Sequence, residues 1–451
     1  MAKRFCLSMI TPVSVLAFLY AVPPVGVARE EGQVLSPPLR VDKIRLLIVT
    51  GGHGFERDPF FAMFKAYPDM TFREVKQPEA LKWYTAEKSR EYDVLVWYDL
   101  WDNAKPGDLE NLKALLDRGK PLVALHHSIA NYQDWPEAIK ILGGKFYTKP
   151  AGGRGTSTWK EGIQLKIRVG DPNHPVTRFM KDYDILDEGY GEMELLPGTH
   201  PLLTTENPHS DKSVAWAHTY GKSAVVYIQG GHDHFAFENP NYRRLVGQAI
   251  RFVAGRLPDP SEKGFEPIFN GKDLDGWTVV ADRAGFVVKD GILRSDSGKN
   301  GQWLRYNREL GDFVLRVEWR VSKDGNAGVF IRSKAEGNPW ETGHEIQISN
   351  QPRDEMHCTG SMYGRVPVDP RPDESPDVWH EFEIQCRGPR IKVFADNVPV
   401  IDVDQSKVES AKGIPLKGFI GLQDSHNPSG WIEYRKVMLK ELKGEKSVGP
   451  S

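Results

Sequence analysis

Residues 43–54 read KIRLLIVTGGHG, an apolar run that ends in a glycine-rich loop carrying His53. A continuous apolar run bounded by glycines is typical of a strand that is buried on both faces of a sheet. Residues 93–98 (DVLVWY) and 121–125 (PLVAL) repeat the pattern, and a helix-like segment that begins at Pro106 and ends at Gly119 lies between them. Strands that alternate with helices predict right-handed βαβ units and an open parallel sheet.

A change in composition divides the chain into two parts. Residues 255–263 (GRLPDPSEK) are rich in proline and charge, which is typical of a linker. Beyond them, short alternating runs at residues 313–319, 329–332 and 390–394 predict an antiparallel β-sandwich. We therefore predict an α/β domain at residues 43–255, a linker at 256–264 and an all-β domain at 265–442.

The first residues indicate the compartment. Lys3 and Arg4 precede an apolar stretch that ends near Val22, and small residues up to Ala28 follow. This order predicts a signal peptide over residues 1–28 and export to the periplasm or beyond the cell. The apolar stretch is shorter than the roughly 20 residues of a membrane span, so we expect no stable membrane insertion after cleavage; an uncleaved anchor is the alternative.

Charge and cysteine content narrow the partners. The 451 residues carry a net charge of -2 without a long run of Lys or Arg, which argues against a nucleic-acid partner. Cleavage would leave Cys358 and Cys386, and the sequence leaves open whether they form one disulfide or two separate thiols. The oligomeric state is undetermined, and no nucleotide cofactor is predicted.

Histidines follow the strand-like runs of the first half. His53 follows the first run, His126 and His127 follow the third, and His232 with Asp233 follows a late run at residues 224–229. Because ligands of open α/β sheets bind at the carboxyl ends of the strands, we expect these histidines to line one crevice. Such a crevice suits a metal, an acid–base or a saccharide site, unless the loops only cap the strands.

Several motifs of this half occur together in a fixed order. They are Gly51-Gly52-His53, Leu125-His126-His127-Ser128, Asp171-Pro172-Asn173-His174-Pro175, Asp187-Glu188-Gly189-Tyr190, Val214-Ala215-Trp216 and Gly231-His232-Asp233. With them, residues 43–255 resemble the trehalose-utilisation (ThuA-like) family. The resemblance implies a flavodoxin-like fold similar to class I glutamine amidotransferases, and a saccharide ligand.

The residues at the expected nucleophile position differ from those of amidotransferases. In amidotransferases the strand-to-helix elbow carries a Cys. In this sequence the elbow holds His126-His127-Ser128, and residues 43–255 contain no Cys. This absence excludes glutaminase chemistry. The absence of a G-x-S-x-G elbow argues against Ser128 as a nucleophile. Asp187 and Glu188 are candidates for a carboxylate ligand or base, unless they only cap a loop.

Polar residues alternate along two strand-like runs of the second half. In residues 343–349 (GHEIQIS), period two places Glu345 and Gln347 on one face. In residues 326–333 (NAGVFIRS), the same period places Phe330 and Arg332 together. If the two runs are neighbours, Arg332, Glu345 and Gln347 converge beside an aromatic ring, as in a sugar-binding site; the alternative is a salt bridge on a solvated face.

A second ordered set of motifs spans residues 264–442. It comprises residues 268–277 (IFNGKDLDGW), Asn326-Ala327-Gly328, Glu345-Ile346-Gln347, residues 359–364 (TGSMYG), Trp379-His380, residues 418–423 (GFIGLQ) and Glu433-Tyr434-Arg435. These motifs resemble the 3-keto-disaccharide hydrolase family, which implies a concanavalin-like jelly roll. Ala327, His380 and the loop at residues 425–430 depart from the family pattern and leave the choice of substrate open.

The resemblance implies an exported enzyme that cleaves 3-keto-glycosides or 3-keto-disaccharides. A C3 ketone acidifies the C2 hydrogen, so a base can start elimination at C1, with or without later hydrolysis. We predict Glu345 as base or metal ligand, Arg332 and Gln347 as donors to the enolate oxygen, and Tyr363 or His426 as acid. A divalent metal ion is the alternative to Arg332 in this role. The predicted substrate-binding residues are His53, His126, His127, Glu188, His232, Asp233 and Phe330.

Two other functions fit the same sequence. In one, the sandwich is a carbohydrate-binding module attached to a catalytic first domain. Its many tryptophans favour this function, although several should belong to the core: Trp277, Trp303, Trp319, Trp340, Trp379 and Trp431. In the other, the first domain is a non-catalytic scaffold.

The signal segment gives a first testable prediction. We expect mass spectrometry of the mature protein to find an N-terminus near residue 29, because the small residues before it suit a signal peptidase. An intact Met1 on protein retained in the cytoplasm would contradict export.

Overall fold

The computed structural model describes residues 43–280, 285–296, 303–427 and 430–442. The predicted signal peptide lies outside the described residues. The described residues belong to one compact unit. Within them, every helix is too short or too polar to cross a membrane.

The first part of the described chain contains strands β1–β11 and helices α1–α5. The strands are β1 (Ile44–Gly51), β2 (Met70–Lys76), β3 (Val94–Asp99), β4 (Leu122–Leu125), β5 (Gly144–Lys145), β6 (Thr158–Val169), β7 (Tyr183–Gly191), β8 (Glu194–Leu195), β9 (His200–Thr204), β10 (Ser213–Tyr220) and β11 (Ser223–Ile228). The α-helices are α1 (Arg57–Lys65), α2 (Pro106–Asp117), α3 (Glu137–Leu142), α4 (His234–Phe237) and α5 (Pro240–Val253). Short 3₁₀ helices span Glu79–Tyr84, Lys88–Glu91 and His126–Ala130.

The described strands of this part form a sheet with the order β2-β1-β3-β4-β11-β10-β9-β6-β7. The pairings from β2 to β11 are parallel, as the sequence predicts. The expectation of a purely parallel sheet is wrong for the remaining strands, because β10 and β11 form a tight antiparallel hairpin that pairs Tyr220 with Ser223. The two-residue turn contains Gly221 with a φ of 57°, a conformation that glycine adopts at little cost.

Two apolar layers cover the two faces of this sheet. Leu46 and Ile48 of β1 pack into one layer with α1 and α5. Leu47 and Val49 pack into the other layer with α2 and α3. A strand segment that is buried on both faces needs apolar residues at every position, which explains the uninterrupted run in residues 46–49.

The second part contains strands β12–β24 and helix α6. The strands are β12 (Glu266–Pro267), β13 (Trp277–Val280), β14 (Phe286–Lys289), β15 (Ile292–Ser295), β16 (Trp303–Leu310), β17 (Phe313–Val321), β18 (Asn326–Ser333), β19 (His344–Ser349), β20 (His380–Arg387), β21 (Arg390–Ala395), β22 (Val398–Asp404), β23 (Gly418–Gln423) and β24 (Ile432–Glu441). Helix α6 spans Pro339–Thr342, and 3₁₀ helices span Gln405–Lys407 and Glu409–Ala411.

These strands form an antiparallel β-sandwich. One sheet has the order β14-β15-β24-β17-β20-β21-β22, with β12 beside β24, and the other has the order β13-β16-β23-β18-β19. Val329, Ile346 and Leu422 of the second sheet point into the core between the sheets. Because side chains alternate along a strand, the neighbouring positions lie on the outer face of that sheet.

The cysteines and several tryptophans belong to this core. Cys358 and Cys386 are buried free thiols, so the alternative of one disulfide is wrong. Trp277 and Trp319 also pack in the core and offer no platform for a sugar ring.

The two sheet regions contact each other through the hairpin turn between β21 and β22. Arg244 of α5 donates to the carbonyl oxygen of Asp396 at 2.7 Å, and Gln248 donates to that of Asn397 at 3.0 Å. Arg178 forms an ion pair with Glu381 of β20 at 2.8 Å. Burial raises the pKa of Glu381, and the charge of Arg178 opposes this rise. The carboxylate therefore depends on its partner from the first domain.

This ion pair gives a second prediction. We expect Arg178→Ala to lower the free energy of unfolding by on the order of 2 kcal/mol, because it leaves the buried Glu381 carboxylate unpaired. Chemical denaturation measures the change. The control is Arg168→Ala, which breaks an exposed pair with Asp182 and should cost less than about 0.5 kcal/mol. Equal losses in the two variants would refute the role of the Arg178 pair.

Candidate functional site

The carboxyl ends of the parallel strands form a cavity of about 260 Å³. His53 lies in the loop after β1, His126 and His127 lie in the 3₁₀ helix directly after β4, and His232 follows β11. The described residues that line the cavity include all four histidines together with Trp159, Glu161, Glu188 and Tyr190. The structure therefore brings together the histidines that the sequence analysis grouped, while their functional roles stay a prediction.

Three side chains of this cavity meet at one point. His126 Nε2 lies 3.0 Å from Glu188 Oε2 and 3.3 Å from His232 Nδ1. His232 Nδ1 lies 3.3 Å from the same Glu188 oxygen. Burial alone would raise the pKa of Glu188, but hydrogen bonds with His126 and His232 outweigh this and lower the pKa to about 2. Glu188 is therefore a carboxylate over the ordinary pH range.

The remaining candidates of this domain have other roles. Asp187 accepts hydrogen bonds from the backbone N–H groups of Gly231 at 2.8 Å and His232 at 3.0 Å, so it holds the loop that carries His232. Asp233 caps helix α4 by accepting from Phe235 N–H at 2.9 Å and is not among the residues that line the cavity. Ser128 Oγ donates to the Leu125 carbonyl oxygen and is buried.

His127 is buried behind His53 and Tyr98, with ring centroids 4.6 and 4.5 Å away. No side chain of the described residues hydrogen-bonds its ring nitrogens, and a backbone hydrogen bond with Tyr98 is the polar contact that remains. Burial holds the pKa of His127 well below its ordinary value, so its imidazole is neutral. Its ring nitrogens are thus available to a bound molecule.

A second candidate site lies on the outer face of the five-stranded sheet. Phe330 on β18 pairs with Glu345 on β19, and Gly328 pairs with Gln347. A Cβ atom at Gly328 would lie 2.6 Å from Glu345 Oε1, so only glycine leaves room for this carboxylate. Glu345 reaches across the gap to a hydrogen bond with Gln423 on β23. The side-chain amide of Gln347 satisfies its hydrogen-bonding neighbours when its NH₂ group faces Glu345. In that orientation it donates to Glu345 Oε1 at 2.9 Å.

Two buried aromatic rings lie on the same face as Glu345. The Trp303 and Phe330 rings meet edge to face with centroids 5.6 Å apart. A Cβ atom at Gly421 would lie 2.1 Å from the Trp303 ring, so this second glycine makes room for the indole. We name the group of Trp303, Phe330, Glu345, Gln347 and Gln423 the outer-face cluster.

Burial decides the protonation state of Glu345. It raises the pKa of the carboxyl to about 8, against the hydrogen bond from Gln423 and the charges of Arg353 and Arg365, which lower it. At neutral pH the group is mostly protonated, and it becomes a strong base once ionised. A carboxyl with a pKa close to the working pH can transfer a proton in either direction.

The predicted convergence of Arg332 with Glu345 and Gln347 is wrong. The pairing of β18 with β23 shifts between Phe330 and Ser333, and Arg332 has a φ of 57°, so a β-bulge interrupts the alternation. Arg332 is fully buried, where its guanidinium donates to Gln405 Oε1 and to the Gly388 carbonyl oxygen, each at 2.6 Å. It cannot hold an enolate oxygen beside Glu345.

Two predicted acids lie at different depths around the cluster. The backbone N–H of Tyr363 donates to the Glu345 carbonyl oxygen at 2.9 Å, and its half-buried ring packs on His357. His426 donates through its backbone N–H to Asn326, and its Nε2 lies 3.9 Å from the buried Asp424 carboxylate. Burial, followed by the charge of Arg353, lowers the pKa of His426, which favours the neutral imidazole.

Two successive parts of the sequence match known families. Residues 45–253 match the family described as "Trehalose utilisation", and residues 264–440 match the family described as "3-keto-alpha-glucoside-1,2-lyase-like domain". Both resemblances proposed from the motifs are thereby confirmed.

Individual relatives match one domain at a time. A 3-keto-disaccharide hydrolase from Bacteroides thetaiotaomicron is 24% identical over 231 residues, which cover 40% of this chain and 79% of that protein. A solved structure of a candidate glycosyl hydrolase from Parabacteroides distasonis is 22% identical, with a TM-score of 0.36, and covers 40% of this chain and 99% of that one. A ThuA-like protein from Parabacteroides merdae is 14% identical, with a TM-score of 0.42, and covers 47% of this chain and 90% of that one.

Sequence reasoning named Trp303 only among the tryptophans that favour a binding module and Gln423 only within a motif, and it missed Arg353. Trp303 and Gln423 belong to the outer-face cluster, and Arg353 acts on it through its charge. Gln423 could have been found, because it ends a run in which Ile420 and Leu422 alternate with it. His380, the departure from the family pattern, lies in the other sheet and pairs with Asp396 at 2.8 Å, so it serves the contact between domains.

The raised pKa of Glu345 gives a third prediction. Between about pH 4.5 and pH 8 the unfolded state ionises this group while the folded state keeps its proton, so the group's contribution to stability falls as pH rises. Glu345→Gln removes this titration. We therefore expect the melting temperature of the variant minus that of the wild type to increase across this range and then level off.

Calorimetry at several pH values measures this difference. Glu309→Gln, at an exposed carboxylate on β16, is the matched control and should give a flat difference. A flat difference for Glu345→Gln as well would show that burial does not hold the proton on Glu345.

Proposed function

We propose that this protein is an exported carbohydrate-active enzyme that cleaves 3-keto-glycosides at the outer-face cluster of its second domain. The proposal includes a concanavalin-like jelly roll for the sandwich and an amidotransferase-like fold for the first domain. The match of residues 264–440 to the lyase-like family and the hydrolase relative support the substrate class.

One observation carries the proposal: Glu345 is a buried carboxyl with a pKa of about 8, beside two amide side chains and two aromatic rings. An ordinary surface carboxylate has no need for a glycine gap on its neighbouring strand. Here the missing side chain of Gly328 leaves the space that the Glu345 carboxylate occupies.

The chemistry that fits this arrangement begins at C2 of the sugar. Ionised Glu345 takes the C2 proton, and the electron pair of the C2–H bond passes to the C3 carbonyl as an enolate. When the C3 carbonyl reforms, a double bond forms between C1 and C2. The bond between C1 and the glycosidic oxygen breaks at the same time. A proton from an acid then completes the leaving alcohol.

Other residues have supporting roles in this proposal. The Gln347 and Gln423 amides replace Arg332 as donors to the enolate oxygen, and Arg353 contributes positive charge nearby. Tyr363 is the favoured acid, because the lowered pKa of His426 makes its imidazole a poor proton donor. Water added across C1 and C2 would make the reaction a hydrolysis, and release of the unsaturated sugar would make it a lyase reaction.

The test is turnover of a 3-keto-glucoside by the full-length wild type and by Glu345→Gln. The amide keeps the size of the side chain but cannot take a proton, so we expect turnover to fall by about 10²-fold or more. The wild-type kcat/KM should rise with pH up to about pH 8, where Glu345 becomes ionised.

Glu309→Gln again serves as the control and should keep wild-type turnover. Near-equal rates for wild type and Glu345→Gln, at equal thermal stability, would refute Glu345 as the base. If Glu345→Gln weakened only sugar binding while turnover persisted, the sandwich would be a binding module and catalysis would belong to the first domain.

A further inference from the structure

The meeting point of His126, Glu188 and His232 has the donor set and the spacing of a metal site. The three facing atoms, two imidazole nitrogens and one carboxylate oxygen, lie 3.0 to 3.3 Å from one another. Among the described residues, these three side chains form a group whose ligand atoms all lie within 4.8 Å. What holds them together depends on where their protons are.

The proton of His126 points away from the meeting point. Its Nδ1 lies 2.8 Å from the carbonyl oxygen of Gln229, which can only accept, so Nδ1 carries the proton and donates. In the neutral ring Nε2 is then a bare lone pair, directed at the Glu188 oxygen at 3.0 Å. A backbone carbonyl that accepts from the second nitrogen is the usual partner of a metal-binding histidine.

The positions of His232 and Tyr190 also bear on where the protons lie at this meeting point. His232 Nδ1 lies 3.3 Å from Glu188 Oε2, and its Nε2 lies 3.9 Å from the Glu161 carboxylate, which is too far for a direct hydrogen bond. The Tyr190 hydroxyl lies 3.1 Å from His126 Nε2 and also hydrogen-bonds Glu188, but it has one proton for the two acceptors. Hydrogen bonds with Glu188 require protons on the facing nitrogens, and loss of those protons would leave three lone pairs directed at one point, where a cation would satisfy all of them.

The spacing suits a transition metal. Metal bonds of about 2.0 to 2.2 Å place neighbouring ligand atoms roughly 3.0 Å apart in an octahedron and about 3.4 Å apart in a tetrahedron. The observed separations of 3.0 to 3.3 Å fall within this interval. Two imidazoles and one carboxylate form a donor set that Zn²⁺, Fe²⁺, Co²⁺ and Mn²⁺ accept.

We propose that His126, Glu188 and His232 bind one divalent transition metal ion in the trehalose-utilisation domain. Its open coordination positions face the cavity of about 260 Å³, which has room for several waters of about 30 Å³ each or for a small oxygen-rich ligand. His127 supports a ligand there, because it lines the cavity, is buried and has no side-chain hydrogen-bond partner among the described residues. The proposal is independent of the chemistry assigned to Glu345.

The test uses untagged full-length protein that has been stripped with a chelator and dialysed. We titrate it with Zn²⁺ by calorimetry and with Co²⁺ by visible absorption, and measure bound metal by mass spectrometry. We expect one ion per chain and a Co²⁺ spectrum typical of nitrogen and oxygen ligands. Metal should also raise the melting temperature, because it binds the folded state.

Two variants remove one ligand each. His232→Ala changes a side chain at the mouth of the cavity, and Glu188→Gln keeps the size of the buried side chain. We expect each to weaken metal binding by about 100-fold and to abolish the shift in melting temperature. His200→Ala is the matched control, because His200 pairs with the Asp171 carboxylate at 2.8 Å outside the cavity and should leave binding unchanged.

Each contrary result has a definite meaning. If the stripped wild type binds neither ion, the proposal is wrong and the three side chains share protons instead. If His232→Ala folds and binds one ion as tightly as the wild type, the metal lies elsewhere and the proposal is also wrong. Should Glu188→Gln fail to fold, His232→Ala decides the matter alone.

Discussion

The central strands of the first sheet are buried on both faces, and this burial determines where chemistry can occur. The middle of β1, residues 46–49, carries only apolar side chains, so polar groups collect near the end of the strand. In the first domain the parallel strands end at one edge, and their loops bring His126 and His232 within 3.3 Å although they are 106 residues apart in sequence. In the sandwich, the face of each sheet that packs into the core is apolar, so the polar groups lie on the outer face and in the loops that cover it.

The two candidate sites show that hydrogen-bond partners determine how far burial changes the pKa of a glutamate. Burial raises the pKa of both Glu188 and Glu345. At Glu188, hydrogen bonds with two histidines outweigh burial and hold the pKa near 2. At Glu345, the amide of Gln423 and more distant charges do not outweigh burial, and the pKa rises to about 8. The first carboxylate suits a permanent ligand of a cation, and the second suits the transfer of a proton.

Glycine has a specific function at the second site. Gly328 and Gly421 lie on strands next to Glu345 and Trp303, and a Cβ atom at either position would overlap with its neighbour. Both glycines belong to motifs shared with the lyase-like family. The missing side chain of Gly328 lets Glu345 and Gln423 meet across the intervening strand.

The amino-acid sequence alone determined the two fold classes, the order of the two families and the grouping of His53, His126, His127 and His232. These follow from local periodicity and from the rule that parallel strands end at one edge. Only the tertiary structure decided the antiparallel half of the first sheet, the separate thiols of Cys358 and Cys386, and the place of Arg332. A period-two pattern cannot reveal a bulge, because the extra residue is accommodated by pairing with a strand nearly ninety positions later. Protonation likewise depends on partners from distant strands, which local sequence does not contain.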